Sequence, residues 1–563
     1  MKKIFYIALS AAIFVTSCGK FGDTNTDPEH LNEGNVPIEM VFTNGLHQAL
    51  GSDWDAWRTK SIGIAQWIQQ LASCRYWEDL ARFCYREDLN SSYWDIFSGD
   101  RGAFFQITWC MDKWAEMGDE YVIDYNIARV MHAYVFENLT DLYGDVPYTQ
   151  ACRPDKYSYP AYDVQKDIYT DILKELDEAQ AVLKNGGTAK MGNADIYYQG
   201  NAASWAKFAN SLMLRAAMRL VKVDAATAKT YAEKAYSNGL ISSIAENAKL
   251  DHKGCDTGND SQEAFAKIHA QEDREFLMAE TFTNMLANTN DPRAALIATR
   301  CLNAQREFDD IRNGATANYY GNPDPALMRG FPSGFNNWDE DPYNFYVGHI
   351  AAHSDFDNSI FASQYSTVNR YTYSDPECPT FICTYPQTEL LLAEAAYRGW
   401  SVGASAKTHY ENAIKAAMAQ FSQFPNSYVP TLISTYLTDA AVAAYMAGPD
   451  VAWNEADALK LINNQYYIVS FGDEIEVFNN WRRSGYPELQ VPIPVTGGSV
   501  VNANGQSVTV TMEPGSMCRT IPRRLQYPTD EVGKNATNYK EAVGRSANLT
   551  NGDKWDSRVW WDK

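Results

Sequence analysis

Apolar residues that return every three or four positions, in one stretch after another, constrain this chain more than any other feature. They commit it to helices that bury one face. In 124–143, Ile127, Val130, Met131, Tyr134, Val135, Leu139 and Leu142 keep this interval, and in 166–183 Ile168, Ile172, Leu176, Ala179 and Leu183 repeat it. Residues 203–222 follow with Trp205, Phe208, Ala209, Leu212, Ala216 and Leu220; 227–238 adds a short Ala/Tyr helix. Residues 387–420 hold two more, separated by Gly399 and Gly403. Asp163, at the head of D-V-Q-K, is the expected N-cap of the second helix. In Tyr143-Gly144-Asp145-Val146-Pro147 a helix must end, because glycine accepts a positive φ and proline forbids continuation.

Between these helical halves, about 240–385 is rich in Gly, Asn, Asp, Pro and aromatics and shows little periodicity. Irregular segments of that length are usually functional or disordered, and the many aromatics argue for order here. A second irregular insertion, about 490–516, holds Val500–Val501 and the alternating Val508, Val510 and Met512 around Asn504-Gly505, the pattern of a small hairpin. Helix pairs rich in alanine, with aromatic pegs and a glycine between them, resemble tetratricopeptide packing without a clean period.

Residues 1–17 read as a signal peptide. Lys2 and Lys3 precede the apolar run Ile4–Val15, which is too short to span a bilayer. Val15-Thr16-Ser17-Cys18 resembles a bacterial lipobox, which implies cleavage before Cys18, lipid on that cysteine, and a polar tether over 18–35. Lipid is then the expected membrane attachment, since no later stretch reaches roughly 18 consecutive apolar residues.

The net charge of −22 repels phosphate backbones and anionic head groups, which argues against nucleic acid. Neutral sugars and peptides meet no such barrier. Ten cysteines without a C-x-x-C, in a chain of 563 residues, are no disulfide scaffold or zinc ribbon. A bridge between Cys378 and Cys383 stays open. His349 and His353 stand four apart, but Ile350 replaces the glutamate a zinc protease needs. Asp23–Asp27 begins like a calcium loop, yet Pro28 and Gly34 occupy the positions of its glycine and glutamate. Acidic loops at Asp339–Asp341 and Asp251–Asp260 leave a structural calcium open; no other cofactor is expected. No serine-hydrolase elbow, P-loop or dinucleotide fingerprint is present.

Several internal strings go further: YGDVPYTQA (143–151), YDVQKDIYTDILKELDEA (162–179), DIYYQGNAASWAKFANSLMLRAAMR (195–219), NDPR (290–293), ELLLAEAAYRG (389–399), WRRSGYPEL (481–489) and IPRRLQYPTDE (521–531). In this order they resemble the SusD/RagB family of outer-membrane nutrient-binding lipoproteins, over about residues 20–545. The resemblance implies a mainly α fold, in one domain over 36–563. Its scaffold of tetratricopeptide-like helix pairs lies at about 120–240 and 387–485, and its ligand side at about 240–385. It also implies surface location, no enzymatic activity, and a SusC-type TonB-dependent barrel as partner. Arg215, Arg219, Arg482 and Arg483 are read as scaffold, since arginines in such apolar sequence usually pair with carboxylates or cap carbonyls.

Seven of the fifteen tryptophans fall in 54–114. Sugar rings present C–H faces that stack on flat aromatics, while their hydroxyls take hydrogen bonds from polar neighbours. Trp67, Trp94, Trp109 and Trp114 have core contexts. Arg75, Tyr76 and Trp77, with Tyr85 beyond, and Trp338 with Asn336, Asn337 and Asp339, are the candidate ligand residues. The ligand is a glycan in the first reading and a peptide in the second; a surface glycosidase or an adhesion lipoprotein are further alternatives.

Overall fold

The computed structural model describes residues 36–51, 56–73, 77–98, 102–254, 262–271, 276–298, 366–491, 520–550 and 552–563, with residues 328, 330, 331, 333, 334, 498–501 and 507–510. The described chain is mainly helical. The principal helices are α1 (Ile38–Gln48), α2 (Glu87–Ser98), α3 (Ala103–Met117), α4 (Val122–Tyr143), α5 (Gln165–Leu183), α6 (Ala202–Arg219) and α7 (Ala225–Asn238). Further along the chain come α8 (Tyr385–Tyr397), α9 (Ala406–Gln420), α10 (Ala458–Val469) and α11 (Glu474–Ser484). Helices α3 to α7 each pack on the next, as do α8 and α9, and α6 also meets α8, so the two helical halves share one apolar core. Gly403 (φ +89) closes the α8–α9 turn against Tyr236, whose hydroxyl oxygen would lie 1.9 Å from an added Cβ.

Helix α4 shows why one apolar stripe under-describes a central helix. Every residue from Asn126 to Tyr143 is buried, the polar ones included, because α3, α5 and α6 surround it. Those polar side chains must find partners inside. Arg129 takes Glu175 at 2.6 Å, and Asp141 accepts from Tyr169 at 2.5 Å, Asn479 at 2.9 Å and Trp561 at 2.7 Å. The four arginines read as scaffold are all buried: Arg215 donates to Ile382 O (2.9 Å), Arg219 pairs with Glu476 and Asp141, Arg482 donates to Arg523 O (2.9 Å), and Arg483 makes two bonds to Glu394.

Burial, with the Asp141 charge one turn away, pushes the Glu137 carboxyl up to about 8. Its folded-state value thus lies above the ordinary carboxyl range of about 4.3, so the folded state prefers it protonated. Stability from this group is complete below that range and is lost as pH rises through about 8. Glu137→Gln, which keeps the neutral shape, should match the wild type at pH 4 and exceed it at pH 8.5 in urea denaturation. An equal difference at both pH values would show that Glu137 does not titrate in this window.

Among the described residues the strands form four antiparallel pairs: β1 (Leu71–Ser73) with β5 (Phe276–Met278), β2 (Val146–Pro147) with β3 (Tyr162–Asp163), β4 (Ala248–Leu250) with β6 (Thr380–Cys383), and β7 (Gly498–Val501) with β8 (Ser507–Val510). The last is the expected hairpin, with Val500 opposite Val508; its Asn504-Gly505 tip lies outside the described residues.

Two sequence strings turn out to hold each other. Leu525 N–H donates to Leu142 O (2.9 Å), Arg524 to Tyr143 O (2.6 Å) and Tyr527 Oη to Asp145 O (2.7 Å), so IPRRLQYPTDE clasps YGDVPY. In DIYYQGNAASW, the Asp195 carboxylate accepts from the N–H of Tyr197 and Gly200 and from Trp205 Nε1, which fixes the turn into α6. Gly144 has φ +91, the positive φ expected of it.

Two expectations need correction, on Asp163 and Trp109, and the open point of a Cys378–Cys383 bridge is answered. Asp163 does not cap α5: it accepts from the N–H of Tyr148 and Thr149, and Asp145, placed by the β2–β3 pair, accepts from Gln165 N–H at 2.9 Å. Cys378 and Cys383 are free buried thiols, as is Cys110. Trp67, Trp94 and Trp114 are core, but Trp109 keeps part of its ring exposed.

Candidate functional site

The first tryptophan-rich segment builds a corner from local and distant parts. A π-helical turn, Ala56–Ile64, leads through Ala65–Trp67 into β1. Gln66, fully buried, takes the N–H of Ser73 on its Oε1 (3.1 Å) and gives its Nε2 to Trp77 O (3.0 Å) and Ile62 O (2.7 Å). One amide therefore clips both ends of the segment between Ser73 and Trp77. Trp67 donates its Nε1 to Leu80 O at 3.2 Å, just beyond Trp77.

Trp77 is half-buried. The Trp57 ring meets it edge-on at 4.9 Å and 87°, and the Arg86 guanidinium lies over it at 4.4 Å. Cation–π contacts of this kind contribute roughly 0.5–2 kcal/mol. The indole Nε1 is buried and has no hydrogen-bond partner among the described residues, so the part of the side chain open to solvent is carbon. Arg86 also reaches Asp88 at 3.4 Å.

Tyr85, next to Arg86, is 41 % exposed. Its hydroxyl donates to Glu87, and its ring stacks on Trp555 at 6.3 Å and 27°. Burial, followed by the Glu87 carboxylate, pushes the Tyr85 hydroxyl up to about 12, so it stays a neutral donor across physiological pH. Glu87 is in turn held by the Thr529 N–H (2.8 Å) and hydroxyl (2.9 Å). Trp555 is fully buried between Trp67 (4.9 Å) and Tyr85, with Nε1 on Asn90 Oδ1 at 2.8 Å.

Of the sequence-derived residues, the structure describes Trp77 and Tyr85: Arg86, the chain neighbour of Tyr85, lies over the Trp77 ring, while the Tyr85 ring packs on Trp555. Arg75, Tyr76, Asn336, Asn337, Trp338 and Asp339 lie outside the described residues, as do His349, His353 and Cys18. Sequence reasoning missed Gln66, Trp57, Arg86 and Trp555. Arg86 adjoins Tyr85 and was open to inclusion on that ground; Trp555 gives no local signal. The corner offers a carbon surface, a guanidinium and a phenol, which suits stacking and hydrogen bonding. Among the described residues, no cluster of three or more His, Cys, Asp or Glu side chains is placed to hold a metal.

A family model described as starch-binding and associating with the outer membrane matches residues 35–332 and 322–506. The chain belongs to the SusD-like family. Among solved structures, a SusD-like protein of Bacteroidetes AC2a is 26 % identical, with TM-score 0.73 over 94 % of this chain and 100 % of that one. A chitin-binding protein is 25 % identical, with TM-score 0.71 over 93 % and 100 %. A chitin-binding SusD homologue from Flavobacterium johnsoniae, 21 % identical with TM-score 0.66 over 93 % and 98 %, shares the fold. No curated protein matches the chain. The SusD-like assignment accounts for the helical scaffold. Among the described residues, no helix is long and apolar enough to cross a membrane.

Proposed function

We propose that this protein is a cell-surface lipoprotein of the outer membrane, anchored through Cys18. It captures an oligomeric glycan and passes it to a SusC-type TonB-dependent barrel. The observation that carries the ligand class is the Trp77–Arg86–Tyr85 corner: a tryptophan that offers solvent only carbon, beside a guanidinium and a neutral phenol. Sugar C–H faces stack on such carbon while hydroxyls bond to the polar groups. The similarity to a chitin-binding protein supports the same class. Arg75 and Tyr76, with Asn336, Asn337, Trp338 and Asp339, complete the proposed ligand surface. Capture by stacking and hydrogen bonding needs no bond-breaking step, and the protein acts as a binder.

The test is a panel of chitin and starch oligomers and peptides, measured by affinity electrophoresis and calorimetry. Trp77→Ala is expected to weaken glycan binding at least tenfold, about 1.4 kcal/mol, and Trp338→Ala to weaken it too. Full affinity in both variants would move the site elsewhere. Binding of peptides alone would replace the glycan reading, and new reducing ends after incubation would make the protein a hydrolase.

A further inference from the structure

Gln66 is a polar residue in apolar company. Ile64, Ala65, Trp67 and Ile68 around it in sequence are all buried, and Gln66 is fully buried with them. An amide in such a place costs free energy unless its polar atoms are bonded, and here each one is. Its Oε1 accepts from Ser73 N–H, and its two Nε2 protons go to Ile62 O and Trp77 O. The orientation of the amide is fixed, since an N–H faces its oxygen and two carbonyls face its nitrogen. Those partners lie in three different elements: the π-helical turn, β1, and the residue that heads the short helix Glu78–Ala81.

Two further buried glutamines follow, and they face elsewhere. Gln69, at φ +57, accepts from Thr281 Oγ1 (2.7 Å) and donates to Gln490 O (2.5 Å); Gln70 donates to Tyr467 O (2.8 Å). Of the three, Gln66 is the one bonded to Trp77. The Trp77 carbonyl also accepts from Leu80 N–H at 3.1 Å, which closes the first turn of Glu78–Ala81. Trp57, from the same π-helical turn as Ile62, meets the Trp77 ring edge-on. Trp77 is thus held twice from one turn, by its backbone through Gln66 and by its ring through Trp57. Turns of this rare kind recur at functional sites.

We infer that Gln66 is a positioning residue for ligand capture and acts through Trp77. The inference rests on the glycan-binding reading above. Stacking needs the indole plane in one place, because the many small contacts between ring and sugar fall off steeply with a gap of less than an ångström. A ring whose backbone is pinned before the ligand arrives loses little freedom on binding. Without the amide, Ser73 N–H and Trp77 O are left to find water, and the indole moves with its own carbonyl. Affinity then falls although Gln66, fully buried, touches no ligand.

Calorimetry of the purified protein with chitohexaose and maltohexaose tests this. Gln66→Met keeps the length of the side chain and gives up its hydrogen bonds. It is expected to weaken binding about tenfold, close to Trp77→Ala itself. Added to Trp77→Ala, it should weaken binding by no more than about twofold further, since nothing is left for it to position. Gln70→Met removes a buried amide from the same turn; it should lower the thermal midpoint and leave affinity unchanged. Near-ultraviolet circular dichroism gives a readout without ligand: the band that Trp77→Ala removes should also be lost in Gln66→Met and kept in Gln70→Met. Independent losses in the double variant, an equal affinity loss in Gln70→Met, or an intact band in Gln66→Met would each overturn the inference and leave the glycan reading standing. If Gln66→Met does not fold, Gln66→Glu, which keeps the volume and the acceptor, carries the same comparison. Failure of both to fold would assign the amide to the core alone and overturn the inference. No binding of either hexasaccharide by the wild type would overturn the glycan reading instead, and with it the ligand role of Gln66, while the dichroism still decides whether the amide holds Trp77.

Discussion

Replacing Arg483 by alanine is expected to remove about 3–5 kcal/mol of folding stability, a large part of the 5–15 kcal/mol a typical native protein has. Arg483 and Glu394 are 1 % and 2 % exposed and joined by two bonds of 2.7 and 2.8 Å; Arg483 also donates to Asn463 and Asn480. The pair ties α11 to α8. Burial alone would push Glu394 up, but the Arg483 and Arg398 guanidiniums hold it down at about 2. Alanine leaves that carboxylate buried with only Arg398 on its rim, at 2.7 Å. Lysine should not rescue, because the two-pronged geometry needs a guanidinium. Arg483→Met combined with Glu394→Leu should recover most of the loss, since a buried pair exchanged for apolar groups of similar volume is often neutral. The pH dependence follows from the depressed folded-state value. The contribution is present above the ordinary carboxyl range and is lost as pH falls toward 2. The deficit of Arg483→Ala in guanidinium denaturation should thus be full at pH 7 and smaller at pH 3. A deficit below about 1 kcal/mol at pH 7 would show that the pair does not hold the helices together.

Cys18→Ala should move the protein entirely from the membrane fraction to the soluble one, with helical content and glycan affinity intact and uptake abolished. Each buried methylene contributes about 0.8 kcal/mol and one chain anchors only marginally, so on the proposed lipoprotein reading the loss of its several chains is decisive. No described helix offers a second attachment, and the glycan corner draws only on residues from 57 onward. Fractionation, circular dichroism and calorimetry check the three parts separately. Retention of the variant in the membrane fraction would place the anchor elsewhere; release with lost affinity would tie ligand binding to the N-terminal segment.

The helical scaffold was legible because its signal is local. The periods around Ile127–Leu142, Ile168–Leu183 and Trp205–Leu220 mark α4, α5 and α6 to within about three residues at their ends, and the alternation at Val508 and Val510 marks β8. The scaffold reading of Arg215, Arg219, Arg482 and Arg483 also held, since a guanidinium amid apolar residues has to find acceptors. The capping of α5 escaped because β2–β3 pairing, a contact between segments, carries Asp145 to Gln165 and diverts Asp163 to Tyr148 and Thr149. Trp109 escaped because helical context says that a residue lies on a helix and leaves open which side a neighbouring helix covers.

The amino-acid sequence by itself determined the helical class, the hairpin, the family and the aromatic content of the 54–114 segment. Each is written in side-chain identity and spacing along neighbouring residues. Only the tertiary structure decided which aromatic rings meet solvent. Trp94 and Trp114 vanish into the core, Trp77 keeps a carbon surface open under Arg86, and Tyr85 rests on Trp555, which itself bonds to Asn90 across 465 residues of chain. Exposure of a ring is the sum of everything packed around it. Most of those neighbours come from parts of the chain that no local pattern connects.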